Sequence, residues 1–240
     1  MAYPWCALLV LTLGLWLFPP TYRIIRIFFI ISLPTLWASG VFLLRKRMLL
    51  AIALLSAGTV LLAFLCLPGS EPDRSRLREA YVNALKRYEG TLSVWGGENR
   101  IGIDCSGLVR NGLIDANVRL GLRTLNPNPI RSALSMWWND CSARALRDGY
   151  KDLTTPLFKA ESINSITNSA IAPGDIAVTV DGVHVLAYLG DNHWIEADPG
   201  VMRTIVVTTP TENRWFKVPV QILRWTQLLE CRNQDLERTR

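Results

Sequence analysis

Asp104-Cys105-Ser106-Gly107-Leu108-Val109 decides how the rest of this 240-residue chain is read. Cys105 opens an apolar-periodic segment that runs to about Leu120, with Leu108, Val109 and Leu113 as its buried face, so the cysteine is expected at the start of a helix. A thiol is a useful nucleophile only as thiolate, and a free cysteine is mostly protonated at neutral pH. A helix N-terminus sets the sulfur against the positive end of the dipole, and a nearby imidazole can take its proton.

The base must be His184 or His193, the two histidines of the chain. Val183 to Leu189 alternates so that His184, Leu186 and Tyr188 share one face. Gly190-Asp191-Asn192 then makes a turn, and the chain returns through His193-Trp194-Ile195-Glu196-Ala197-Asp198. A three-residue loop pairs Leu189 with His193, sets His184 opposite Asp198 and puts Glu196 diagonally beside His184 on the same face. Either carboxylate then orients the imidazole, as the third member of a triad does. A loop of two or four residues reverses the parity and brings His193 to that face instead. His184 is the preferred base, and His193 reads most simply as an exposed loop histidine.

Upstream of the cysteine, Trp95-Gly96-Gly97 makes a turn, preceded by a helix whose buried face is Leu77, Ala80, Tyr81, Ala84, Leu85 and Tyr88 at 3.6-residue spacing. Residues 121 to 170 are the least readable. Asn126-Pro127-Asn128-Pro129 reads as a loop, and Ser132 to Arg147 as helical. After Pro173-Gly174-Asp175 come short β-rich runs: Ile176 to Val180, Val183 to Leu189, His193 to Ala197, Thr204 to Thr208 and Phe216 to Leu223. Helices first and an antiparallel sheet second predict an α+β domain over residues 70 to 240.

Residues 1 to 69 read differently. Pro4 to Phe18, Ile27 to Leu44 and Met48 to Leu67 are nearly free of charge, and a bilayer core needs about 20 residues, with about 17 as the lower limit. The third run spans easily, the second is long enough and the first is marginal, giving a transmembrane region of two or three helices. Arg45-Lys46-Arg47 is expected to stay cytoplasmic, so the third span delivers the C-terminal domain to the outside. Arg23 and Arg26 work against this, because with three spans they lie on the outer side.

The net charge of +6 comes with cations that flank the spans or are scattered among acids, with no basic stripe interleaved with aromatics, so no nucleic-acid partner is expected. The five cysteines, Cys6, Cys66, Cys105, Cys141 and Cys231, show no metal-ligand spacing. No metal or organic cofactor is expected. An oxidising compartment would allow Cys141 and Cys231 to pair and leave Cys105 free.

Trp95-Gly96-Gly97, Asp104 to Val109, Pro173-Gly174-Asp175 and His184 to Gly190, in that order and spacing, resemble the motifs of the NlpC family of papain-like cysteine peptidases, bacterial cell-wall endopeptidases. The resemblance covers about residues 74 to 225. It implies a papain-like fold, Cys105 as nucleophile, His184 as base and Glu196, twelve residues on, as the third polar residue, a position that is histidine or an amide in many members. It also implies Asp104, Ser106 and Trp95 at the substrate, with helix capping as the alternative for the first two. Ser93 stands where the family often has a tyrosine near the oxyanion, with Tyr88 as a conceivable substitute.

The implied reaction is hydrolysis of the amide between D-glutamate and a diamino acid in peptidoglycan stem peptides, through a thioester. The implied location is the bacterial inner (cytoplasmic) membrane, multi-pass, with the catalytic domain outside, so peptidoglycan peptides and the lipid bilayer are the expected partners. A papain-like amidase or acyltransferase acting on a lipid-linked substrate, and an inactive wall-binding module, are the alternatives.

Overall fold

The computed structural model describes residues 2–229, and its three N-terminal helices are α1 (Ala2–Leu17), α2 (Arg23–Leu43) and α3 (Met48–Cys66). Contacts join α1 to α2 and α2 to α3, and a short 3-10 turn over Leu44–Lys46 carries the basic cluster between the last two. The Arg23–Lys46 and Met48–Cys66 helices are long and apolar enough to cross a membrane, whereas α1 falls short. At 1.5 Å per residue α2 is about 30 Å long, the thickness of a hydrocarbon core. No residue of α3 is buried, and Leu49 and Val60 are among the large apolar side chains it exposes.

The domain that follows is helices, then a curled mixed sheet. In α4 (Arg74–Lys86) the Asp73 side chain caps the helix by accepting from Arg76 N at 2.9 Å, and Leu77, Tyr81 and Leu85 turn inward. They meet Leu108, Val109 and Leu113 of α5 (Cys105–Thr124) over one face of the sheet. The run from Asn126 to Pro129, expected as a loop, begins α6 (Pro127–Trp138). Asn126 is its cap, accepting from Asn128 N at 3.1 Å, and Pro127 fills a first-turn position where a missing N–H costs nothing. The helix expected over Ser132 to Arg147 is therefore two, broken at Asn139 before α7 (Ala143–Arg147) starts on its own Ser142 cap.

Eight strands form one sheet in the order β2-β1-β7-β6-β5-β4-β8-β3. They are β1 (Leu92–Ser93), β2 (Gly102–Ile103), β3 (Thr154–Ala160), β4 (Ile176–Thr179), β5 (Val185–Gly190), β6 (His193–Asp198), β7 (Arg203–Thr208) and β8 (Val220–Trp225). The first two pair in parallel, so the sheet expected to be antiparallel is mixed. β3 lies in the stretch without a readable pattern, and Phe216, expected in a strand, sits in the 3-10 turn Arg214–Phe216. Val185, Ala187 and Leu189 face the helices, while Leu186 and Tyr188 pack with Trp194, Phe216 and Ile222 on the other side.

Asp175 of the Pro-Gly-Asp turn is fully buried and binds Arg224 of β8 with both oxygens, at 2.6 Å to Nε and 2.7 Å to Nη2. This bidentate pair locks the start of β4 to β8. Arg224→Met should leave the carboxylate buried without its main partner and cost about 3–5 kcal/mol. A fall in the thermal unfolding midpoint checks this, and a midpoint equal to that of the wild type contradicts it.

Candidate active site

The start of α5 is fixed by one carboxylate. Asp104, the N-cap, accepts through Oδ1 from Gly107 N at 2.6 Å and from the Ser106 hydroxyl at 2.9 Å, and through Oδ2 from Gly96 N at 2.9 Å. Asp104, one of the three residues expected at the substrate, thus also ties the helix to the Trp95-Gly96-Gly97 turn, and Ser106 braces it. Gly107 is where these two backbones touch, since a Cβ built there would collide with the Gly97 carbonyl oxygen. Cys105, half-buried, is the first residue of the helix.

His184 immediately precedes β5. Its Nε2 is 2.6 Å from Glu196 Oε2, and the Cys105 thiol lies within hydrogen-bonding reach of the same imidazole. The register that achieves this has a feature absent from the sequence reading. The β5–β6 turn is closed by two residues, Asp191 and Asn192, both left-handed, which alone would reverse the parity. A bulge at Leu189, between the Tyr188–Trp194 and Gly190–His193 pairs, restores it. Ala187 therefore pairs with Ile195, as the three-residue loop required, and Glu196 shares the face of His184. His193 is exposed and lines a separate groove with Lys86 and Glu89.

Three further residues position His184 and its carboxylate partner, and the sequence reading missed all of them. Trp215 stacks on it with ring centroids 4.2 Å apart and planes 19° apart. Asn213 Nδ2 donates to Glu196 Oε1 at 2.7 Å and lies 3.3 Å from Asp198 Oδ2, orienting the carboxylate. The Thr179 hydroxyl accepts from His184 N at 3.0 Å. Asn213 is 17 residues from Glu196, across a loop with no periodicity to reveal the contact.

Burial of His184 works against its cation, but hydrogen bonds to Cys105 and Glu196 outweigh it and push the pKa up to about 9. Burial also pushes the Glu196 carboxyl above its ordinary range, opposed by the hydrogen bonds from His184 and Asn213. Cys141, a buried thiol lining the same cleft, is pushed up to about 11 by burial. Its suggested partner Cys231 lies outside the described residues. Tyr88 is buried under Arg100 and lines a different cavity, so it does not stand in for Ser93. Among the described residues no cluster of His, Cys, Asp and Glu could hold a metal ion.

Above the sulfur opens a cleft of about 480 Å³. Trp95, 86% exposed, stands on its wall with Asp104, Ser106 and Val183.

The profile of the NlpC/P60 family matches residues 90–224, more than half of the chain. The chain belongs to the NlpC/P60 family. Its members are typically cell-wall peptidases acting on peptidoglycan. Among solved structures it is similar to NlpC1 from Trichomonas vaginalis, at 18% identity and a TM-score of 0.42, over 65% of this chain and 46% of that one. It is also similar to the P60 domain of antigen MAP1204 from M. avium subspecies paratuberculosis, at 17% identity and a TM-score of 0.40, over 65% of this chain and 98% of that one. The NlpC/p60 domain of the peptidoglycan hydrolase SagA aligns at 22% identity and a TM-score of 0.33, over 60% and 97%. The chain spans about half the length of the Trichomonas proteins NlpC1 and NlpC2. No curated protein matches it.

Because the folded-state pKa of His184 is raised above its ordinary value of 6.5, the stabilisation from its cation is fully present below that pH and is lost as pH rises through about 9. NMR titration of the His184 ring should give a midpoint near 9, and Glu196→Gln should lower it. A midpoint near 6.5 in both proteins would contradict the relay.

Proposed function

We propose that this NlpC/P60 chain is a membrane-tethered cysteine peptidase that hydrolyses the amide between D-glutamate and a diamino acid in peptidoglycan stem peptides. The observation that carries the reading is the grouping of half-buried Cys105 with buried His184 and Glu196 at an open cleft. In this mechanism the Cys105 thiolate attacks the scissile carbonyl while His184 holds the proton as imidazolium. The oxyanion meets first-turn N–H groups of α5, of which those of Cys105 and Ser106 are nearest the sulfur. His184 then gives its proton to the leaving amine, and the thioester is hydrolysed by a water that His184 deprotonates. Glu196, held by Asn213, keeps the ring oriented and favours its charged form. Asp104, Ser106 and Trp95 line the cleft where the substrate's free amino group and peptide would lie.

Two helices of membrane length support the tether. The ends of α2 and α3 that touch the domain, near Arg26 and Leu65, lie opposite the Arg45–Arg47 turn. With that turn in the cytoplasm, the domain faces the wall, as expected for the bacterial inner membrane.

The test is incubation of the full chain in detergent or nanodiscs with muropeptides under reducing conditions, followed by mass spectrometry. Masses for cleavage after D-glutamate are expected. Cys105→Ala abolishes them, His184→Ala lowers kcat/KM by roughly 10²–10⁴-fold, and Glu196→Gln lowers it by less. Activity should fall above about pH 9, as His184 loses its proton. Transfer of the acyl group to a lipid amine instead of water would replace this reading by the amidase or acyltransferase one. Binding without Cys105-dependent fragments would leave a wall-binding module.

A further inference from the structure

The chain between α1 and α2 is built into the catalytic domain. Asn99 Nδ2 reaches the last carbonyls of α1, at 3.3 Å from Trp16 O, 3.4 Å from Leu17 O and 3.1 Å from Phe18 O, groups that a helix end leaves without intrahelical partners. Glu98 N donates to Pro19 O at 2.9 Å and Thr21 N to Gly96 O at 3.2 Å, so Pro20 and Gly97 form an antiparallel bridge. One turn into α2, Arg26 is 1% exposed. It donates to Glu98 Oε1 at 2.5 Å and to the Trp137 carbonyl at 2.7 Å, beside Asp140 at 3.4 Å. Glu98 and Asp140 are also bound by Arg110 of α5.

These bonds fix Thr21 and Tyr22, and both line the cleft above Cys105, together with Trp95. Tyr22 is 57% exposed, with its ring edge next to Gly96 of the turn that Asp104 holds. We propose that Thr21 and Tyr22 are substrate-binding residues of this peptidase, so that part of the cleft wall beside the Trp95–Gly97 turn is contributed by the chain entering the first membrane-length helix. This rests on the peptidase reading above. The phenol and indole offer two apolar faces to an extended peptide, and the Thr21 and Tyr22 hydroxyls offer hydrogen bonds to its amides or carboxylate.

A tyrosine at the mouth of an apolar helix also has a purely positional role, as an anchor in the membrane–water interface. Kinetics separate the two. The full chain, wild type and Tyr22→Ala, is placed in phosphatidylethanolamine–phosphatidylglycerol nanodiscs, and cleavage of a stem tetrapeptide is followed. A wall residue that contacts substrate equally in ground and transition states should raise KM about tenfold on removal, with kcat within about twofold. Tyr22→Phe should keep most of the affinity, and Thr21→Val should raise KM by less than Tyr22→Ala. The rate of Cys105 alkylation by iodoacetamide, which needs no wall, should match the wild type and so report a folded site. Unchanged KM in Tyr22→Ala, in an active protein with wild-type alkylation, overturns the inference and leaves the anchor. A wild type inert on these peptides removes the peptidase reading first and this inference with it.

Discussion

The Asp104 carboxylate is the constraint on which the site rests. Its two oxygens accept three hydrogen bonds, two from the first turn of α5 and one from Gly96. Bonds of this charge-assisted kind contribute about 1.5–3 kcal/mol each. Their consequence is positional. They set the sulfur of Cys105 against the Trp95–Gly97 turn, and that turn continues into Gly97 and Glu98, which hold Pro20 and Arg26 of the N-terminal segment. One carboxylate therefore relates Cys105, cleft wall and apolar helices to one another.

Two buried charge clusters flank this cap and differ in what each leaves available. Around Glu98, Arg26 and Arg110 supply two guanidiniums to two carboxylates, Glu98 buried and Asp140 open to solvent on one side. Burial alone would raise the Asp140 carboxyl, yet the neighbouring Arg110 and Arg26 hold it below its ordinary range. Such a cluster adds little net stability over an apolar contact of the same volume, but it strongly penalises any arrangement that separates its members. Around Glu196 the balance is open at one end. His184 has a carboxylate on Nε2, an indole against its face and the Cys105 thiol in reach. The first cluster docks the membrane-length helices, and the second brings a thiol, an imidazole and a carboxylate together.

The cysteine helix, the acidic cap, the His184 strand and the Glu196 face were all legible, because each follows from a local period or a cap signature. The register was legible only by coincidence of parity. The sequence reading reached it through a three-residue loop, and the molecule reaches it through a two-residue turn with a bulge at Leu189. Nothing local in Tyr188-Leu189-Gly190 announces the bulge. Asn213 and Trp215 were hidden for a different reason: they approach His184 through a loop whose path is decided by tertiary packing. The Asn126–Pro129 run misled because asparagine before proline marks loops and helix starts alike, and only the caps in space distinguish them.

The hardest feature of the sequence was the pair Arg23 and Arg26, basic residues on what the proposed orientation makes the outer side. The rule that places positive residues inside counts lysines and arginines near the span ends and takes little account of acids beside them. In the folded molecule Arg26 is nonetheless engaged, because Glu98 and the Trp137 carbonyl take up its guanidinium. Arg23 lies over the Trp138 ring at 5.5 Å, in a cation–π contact with α6. Both arginines thus bind the NlpC/P60 domain, although they are written in a membrane-length helix. Arg45, Lys46 and Arg47, by contrast, are exposed at the far end of α2, with no acidic partner among the described residues. In the proposed orientation the Arg45–Arg47 turn is the orienting charge, and the arginines that seemed to oppose it are what hold the cleft above Cys105 against the start of α2.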